Sequence, residues 1–183
     1  RVMGVAGIER KSRLALLRTG GGTSICDQLP ALVQYRRAGQ LMVIVSPRQS
    51  LMKDQVDKLE RTGITQAVTI NGLLDPIERA KSLRRVEEGS ASLLYISPES
   101  LRSKTIERLM LGRKIARFVI DEAHCFSAWG QDFRVDYLYI GYFIRNIQEK
   151  KQLKDSIPVS CFTATAKPKV IADILNYFRE KLS

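Results

Sequence analysis

Asp121-Glu122-Ala123-His124 puts two carboxylates and an imidazole side by side, directly after the apolar run Phe118 to Ile120. A short apolar run of this kind reads as a buried strand, and open parallel sheets bind ligands at the carboxyl ends of their strands. Paired carboxylates there suit Mg²⁺, a hard cation that takes oxygen ligands and keeps several waters, and they suit a water activated beside it. The polar, glycine-containing loop that follows carries Trp129, Phe133 and Arg134. Aromatic rings beside an arginine suit unstacked bases, because every base offers a π face. One segment, Val119 to Leu138, therefore joins the chemistry of nucleotide hydrolysis to that of nucleic-acid contact.

A second candidate lies upstream, in Thr19-Gly20-Gly21-Gly22-Thr23-Ser24. Glycines let a backbone wrap a phosphate with its N–H groups, and a following helix points its positive end at the same anion. Ser24 is placed to ligate Mg²⁺. A P-loop carries Lys before that hydroxyl residue, whereas Thr23 stands here, and Leu17 stands where the loop usually opens with Gly or Ala. On its own the run is equally a glycine turn between a strand and a helix; the acidic pair downstream is what favours the phosphate loop.

These groups need a frame, and the chain alternates strand and helix patterns. Arg13 to Leu17 predicts a first strand, followed by the glycine turn and a helix running toward Arg37. Leu41 to Val45, Gln66 to Ile70, Leu93 to Ile96, Phe118 to Ile120 and Val159 to Phe162 predict further strands. Ser50 to Glu60 predicts a helix with Met52, Val56 and Leu59 on one face. Asp75-Pro76 starts another, as an N-cap followed by Pro at the first helical position. Pro168 to Leu182 closes the chain as a helix with Val170, Ile171, Ile174, Leu175 and Phe178 at helical spacing. Short buried strands separated by helices imply an α/β fold, a mainly parallel sheet covered on both faces.

The 183 residues suit one domain, with 44% apolar residues to build its core. The formal net charge of +11 favours a polyanionic partner. Cys26, Cys125 and Cys161 form no C-x-x-C pair and fit a reducing compartment better than a disulfide framework. No apolar run approaches the ~20 residues of a membrane span, and no signal peptide is visible. The chain begins at Arg1 rather than Met, which suggests part of a longer protein.

In sequence order these motifs resemble the first RecA-like lobe of a RecQ-family DNA helicase of superfamily 2. The glycine run with Gln28-Leu29-Pro30-Ala31-Leu32 is similar to motif I. Ser46-Pro47 and Ser50 to Val56 are similar to motif Ia. Tyr95 to Glu99 is similar to the segment before motif II. Asp121 to Cys125 with Trp129-Gly130 and Asp132-Phe133-Arg134 is similar to motif II and its aromatic-rich loop, and Thr163 to Ala166 to motif III. The departures are Thr23 for the motif I Lys, Arg18 for Pro, Asp27 for Tyr, Arg48 and Gln49 for apolar residues, Gln131 for His and Val135 for Pro. Residues 1–27 hold no Gln, so the adenine-recognising Q motif has no counterpart.

The resemblance implies a RecA-like P-loop NTPase lobe over residues 1–183, with ATP and Mg²⁺ as cofactors. The partners it implies are single-stranded or partly duplex DNA and a second RecA-like lobe, which the chain is expected to lack along with accessory domains. The implied location is cytoplasmic or nuclear, with no membrane. Thr19, Gly20, Gly21, Gly22, Thr23 and Ser24 would cradle the phosphates. Ser24 and Asp121, the latter through water, would hold Mg²⁺. Glu122 would polarise the attacking water, and His124 would link the nucleotide site to motif III. Trp129, Phe133 and Arg134 would sense single-stranded DNA, and Ser46, Lys53 and Thr163 would contact its backbone. Arg79, Lys81, Arg84 and Arg85 read as a solvated helix face. Two functions stay open: an ATP-driven 3′-to-5′ helicase motor lobe, inactive in isolation, and a non-hydrolysing DNA-binding or regulatory module with a degenerate P-loop.

Overall fold

The computed structural model describes residues 3–4, 14–18, 25, 29, 36–63, 66–130, 132–164 and 167–182. Among them one sheet contains β1 (Met3–Gly4), β2 (Leu14–Arg18), β3 (Leu41–Val45), β4 (Ala67–Ile70), β5 (Leu93–Ile96), β6 (Ile115–Ile120) and β7 (Val159–Thr163). Their spatial order is β1-β2-β7-β6-β3-β5-β4. All pairings are parallel except that of the edge strand β1 with β2. Parallel neighbours need crossovers, and helices supply them. These are α1 (Gln49–Arg61), α2 (Pro76–Glu88), α3 (Lys104–Leu111), α4 (Tyr137–Lys150) and α5 (Pro168–Leu182).

The sheet is buried on both faces, which explains why its strands are continuous apolar runs rather than alternating ones. Leu41, Val43 and Val45 of β3 pack with Phe118 and Ile120 of β6 into a core shared with α2, α3, α4 and α5. Met42, Ile44 and Val119 point the other way, toward Met52, Val56 and Leu59 of α1 and toward Ile25 and Leu29. The face predicted for α1 is thus the one it buries. Helix α2 also begins as its sequence predicts: the Asp75 carboxylate accepts a hydrogen bond from the Glu78 N–H at 2.8 Å, and Pro76 takes the first helical position. It ends at Gly89, whose φ of +86° is left-handed and suits a residue without Cβ. In α5, Val170, Ile174 and Phe178 form the buried stripe.

Several boundaries differ from expectation. Strand β6 begins at Ile115, three residues before the predicted start, because Arg117 takes part in the sheet while its guanidinium reaches the Ser160 hydroxyl at 2.8 Å. Strand β2 extends to Arg18. Helices α3 and α4 were not predicted. Of the helix expected to run toward Arg37, only Leu29 is described as helical, and it is fully buried.

Candidate active site

Strand β6 lies between β3 and β7, and its carboxyl end delivers Asp121 to the middle of the sheet edge. The Asp121 N–H donates to the Val45 carbonyl at 2.9 Å, prolonging the β3 ladder by one step and bringing Ser46 alongside. The Asp121 carboxylate accepts from the Glu122 N–H at 2.9 Å and, at a long 3.5 Å, from the Ser46 hydroxyl. Its carbonyl accepts from the Tyr137 hydroxyl at 2.7 Å, so the first residue of α4 fixes the end of the strand. Asp121 is only 8% exposed. Burial, then the neighbouring Glu122 charge, push its carboxyl up to about 6. A buried carboxylate so disfavoured is a ready partner for a cation.

Glu122 turns the chain. Its φ of +53° and ψ of +47° are left-handed, a conformation that costs a non-glycine residue on the order of 1–3 kcal/mol. Such strain is concentrated at functional sites, and here it carries the Glu122 carboxylate out of line with Asp121. One carboxylate oxygen pairs with the Arg48 guanidinium at 2.9 Å and the other lies 3.4 Å from His124 Nε2. The same His124 nitrogen is 3.6 Å from Asp132, in the loop that follows. Imidazole thus stands between the carboxylate pair and the aromatic loop.

The base of that loop is rigid and its tip is bare. Phe126 packs against Tyr137, Tyr177 and Phe178 with ring centroids 5.1, 4.5 and 5.0 Å apart. Ser127, fully buried, donates to Asp173 of α5 at 2.6 Å and accepts from the Trp129 N–H at 3.2 Å. Gly130 sits so close that a Cβ there would lie 2.8 Å from the His124 carbonyl oxygen. The Arg134 N–H closes the loop on the Cys125 carbonyl at 3.0 Å. On this base Trp129 is 64% exposed and Phe133 44% exposed. Lys169 Nζ lies 4.2 Å from the Trp129 ring centroid, which adds positive charge beside the aromatic face.

The structure therefore gathers Ser46, Asp121, Glu122 and His124 into one cluster, with Trp129, Phe133 and Arg134 on the adjoining surface. Ser46 is 1% exposed and faces Asp121, a different place from the aromatic tip. Thr163 ends β7 and is buried. Lys53 is exposed on α1 and lines a shallow cleft against α2 with Glu60, Glu78 and Arg85. Thr19, Gly20, Gly21, Gly22, Thr23 and Ser24 lie outside the described residues. The strand that leads into them, β2, is parallel to β7 and ends at Arg18, level with Thr163.

Sequence reasoning gave no role to Arg48, Ser127, Asp132, Tyr137, Lys169 or Asp173. Arg48 and Asp132 left a trace, Arg48 as a charged residue where the resembled motif has an apolar one and Asp132 as part of the resembled aromatic-rich loop. The others act through contacts between distant elements. Among the described residues no group of three or more His, Cys, Asp or Glu is arranged to hold a metal. The buried Asp121 carboxylate suits Mg²⁺, which is bound by one or two carboxylates together with substrate phosphates rather than by a closed protein cage. Asp121 is the residue that would hold it.

Comparison with known proteins agrees with this geometry. The profile of the DEAD/DEAH box helicase family matches residues 4–174. The chain is 41% identical over 166 residues to the probable ATP-dependent DNA helicase RecS of Bacillus subtilis, covering 91% of this chain and 31% of that protein. It is 40% identical over 165 residues to the ATP-dependent DNA helicase RecQ of the same organism, covering 90% of this chain and 26% of that protein. The chain thus spans a third or less of the length of these relatives. Its fold is similar to the Hef helicase domain of Pyrococcus furiosus, with a TM-score of 0.54 and 24% identity over 91% of this chain and 33% of that one.

Proposed function

The chain belongs to the DEAD/DEAH box helicase family, and from that premise we propose that it is the first motor lobe of a RecQ-like, ATP-dependent 3′-to-5′ DNA helicase. The observation that carries this is the continuity of Asp121, Glu122, His124 and Asp132 with an exposed Trp129 on an anchored loop. Bound Mg²⁺ would neutralise phosphate charge and orient the nucleotide. Asp121, through water, and Ser24 would hold it. Glu122, released from Arg48, accepts a hydrogen bond from the attacking water and orients it. The Gly20 to Ser24 backbone would cradle the phosphates. Trp129 and Phe133 stack on unpaired bases, while Arg134 and Lys53 meet the phosphate backbone. Thr163 belongs to the strand end that couples the two sites. His124 Nε2 stands 3.4 Å from Glu122 and 3.6 Å from Asp132, so a base drawn onto the loop changes the surroundings of the carboxylate.

The coupling can be tested directly. Single-stranded DNA should tighten binding of a non-hydrolysable ATP analogue with Mg²⁺, and Asp132→Ala should remove that coupling while leaving each separate affinity nearly intact. Equal nucleotide affinity with and without DNA would reject it.

A specific observation favours a second function, a non-hydrolysing DNA-binding module. Thr23 brings no charge to the phosphates, and the Glu122 carboxylate that should orient water is engaged by Arg48 at 2.9 Å. In either case the isolated chain is not expected to unwind DNA. Motors of this class complete their site with an arginine finger worth roughly 10³–10⁵ in rate, and that finger comes from a second lobe. Strand separation by purified residues 1–183 would overturn this expectation.

A further inference from the structure

The sheet has a second built edge, opposite the one that carries Asp121. There β3 and β6 begin, and two adjoining clefts of about 390 and 630 Å³ share Gln40, Ile115, Leu153 and Ile157. Their walls are strongly basic. Arg36, Arg37 and Arg117 line one, and Arg113, Lys114, Lys150 and Lys151 line the other. Asp155 is the one carboxylate among the described lining residues.

Neutral groups, not carboxylates, hold the inner cations. Arg113 is 8% exposed, and its guanidinium donates to the carbonyls of Val86, Ala91 and Gly39 at 2.8, 2.9 and 3.2 Å. Lys151 donates to the Arg113 carbonyl. Arg36 donates to the Gln40 carbonyl at 2.9 Å, while its Nε is buried with no partner among the described residues. Carbonyls orient a guanidinium but do not cancel its charge. Burial and then the Arg36 charge press the Arg113 pKa below its ordinary value, as expected where cations converge. Lys150 has a carboxylate partner, Glu107 at 2.5 Å.

The floor differs in kind. Ile115, Ile157 and Leu153 are aliphatic, and Leu153 is 44% exposed. Among the described residues no aromatic side chain lines either cleft, so they offer bases nothing to stack on. Phosphates alone would use the rim and leave the apolar floor in water. A chain carrying both carboxylates and aliphatic side chains would use both. We propose that this groove docks an acidic peptide segment of a partner protein, with aliphatic residues seated on Leu153 and Ile115 and carboxylates on Arg37, Lys114 and Lys151. The groove lies at the opposite strand ends from Trp129, so peptide and single-stranded DNA can be held together.

The test uses the 183-residue chain and a fluorescein-labelled twelve-residue peptide of alternating Asp-Asp-Leu units, read by anisotropy. Binding is expected to weaken steeply with salt and to fall at least tenfold when every Leu is replaced by Ser. Arg37→Glu with Lys114→Glu, both exposed sites, should also weaken it at least tenfold, with an unchanged melting curve. Trp129→Ala should leave it unchanged, which separates this proposal from the helicase function above. Three results would overturn it: no peptide binding, equal binding of the Ser peptide, or displacement by duplex DNA that the double charge reversal abolishes, since that last result makes the groove a nucleic-acid surface.

Discussion

Asp121→Asn should stabilise the apo protein at neutral pH while destroying the site. The carboxyl titrates at about 6 in the folded chain against an ordinary 3.8. A raised carboxyl pKa means that the folded state holds the proton more tightly than the unfolded state. Its contribution to stability is therefore complete below pH ~3.8 and is lost as pH rises through about 6. Above that range the buried, ionised group costs up to ~3 kcal/mol, at ~1.4 kcal/mol per pH unit. Asn keeps the shape and the oxygen that accepts from the Glu122 N–H, but carries neither the charge nor the repulsion from Glu122. With partial relaxation the expected gain is ~1–3 kcal/mol, and for a domain of this size each kcal/mol moves Tm by roughly 2–4 °C. The assay is thermal denaturation by circular dichroism in EDTA between pH 4 and 8. The variant should melt with the wild type near pH 4 and up to about 10 °C above it at pH 7.5. Mg-ATP should raise the wild-type Tm and not that of the variant, because only a ligand that binds the folded state stabilises it. A variant equal to or less stable than wild type at every pH would refute the idea that Asp121 is held charged against its environment.

Trp129→Ala should lower single-stranded DNA affinity by ~1–3 kcal/mol with an unchanged salt slope, since stacking is lost and charge is not. Its Tm should stay put because the ring is 64% exposed; a fall in Tm with normal binding per folded molecule would make Trp129 a packing residue. Arg134→Ala should instead flatten the salt dependence of binding, measured by anisotropy across a salt series. Tyr137→Phe leaves the buried Asp121 carbonyl without its 2.7 Å donor and should cost ~1–3 kcal/mol in denaturant unfolding; no loss would mean that water replaces the hydroxyl.

Much of the frame was legible because it rests on local patterns. Leu41 to Val45 and Leu93 to Ile96 are apolar throughout, as strands buried on both faces must be, and both match the structure residue for residue. The 3.6-residue period of α5 gave its buried stripe. Helix α4 has the same period in Tyr137, Ile140, Phe143, Ile144 and Ile147, but it starts inside a stretch read as loop, and Tyr137 serves the site as much as the core. The acidic pair and the aromatic loop were legible because they are contiguous. The Ser46, Arg48 and Asp173 contacts were not, because strand pairing and helix packing bring them in from 46 to 75 positions away. The left-handed turn at Glu122 has no sequence signature, since glutamate seldom adopts it. The basic groove was invisible for the same reason: its cations are spread from Arg36 to Lys151 and meet only in the fold. The glycine run Thr19 to Ser24 lies outside the described residues, and its reading as a phosphate loop rests on sequence alone.

Calorimetric titration of the chain with ATP, with Mg²⁺ and with EDTA, decides whether Asp121 belongs to a nucleotide site. A Mg²⁺-dependent heat is expected that Asp121→Asn abolishes, and Thr23→Lys should tighten the binding, because the lysine brings a charged donor to the phosphates. A heat that is the same in EDTA, survives Asp121→Asn and ignores Thr23→Lys would contradict a nucleotide site built on this carboxylate pair.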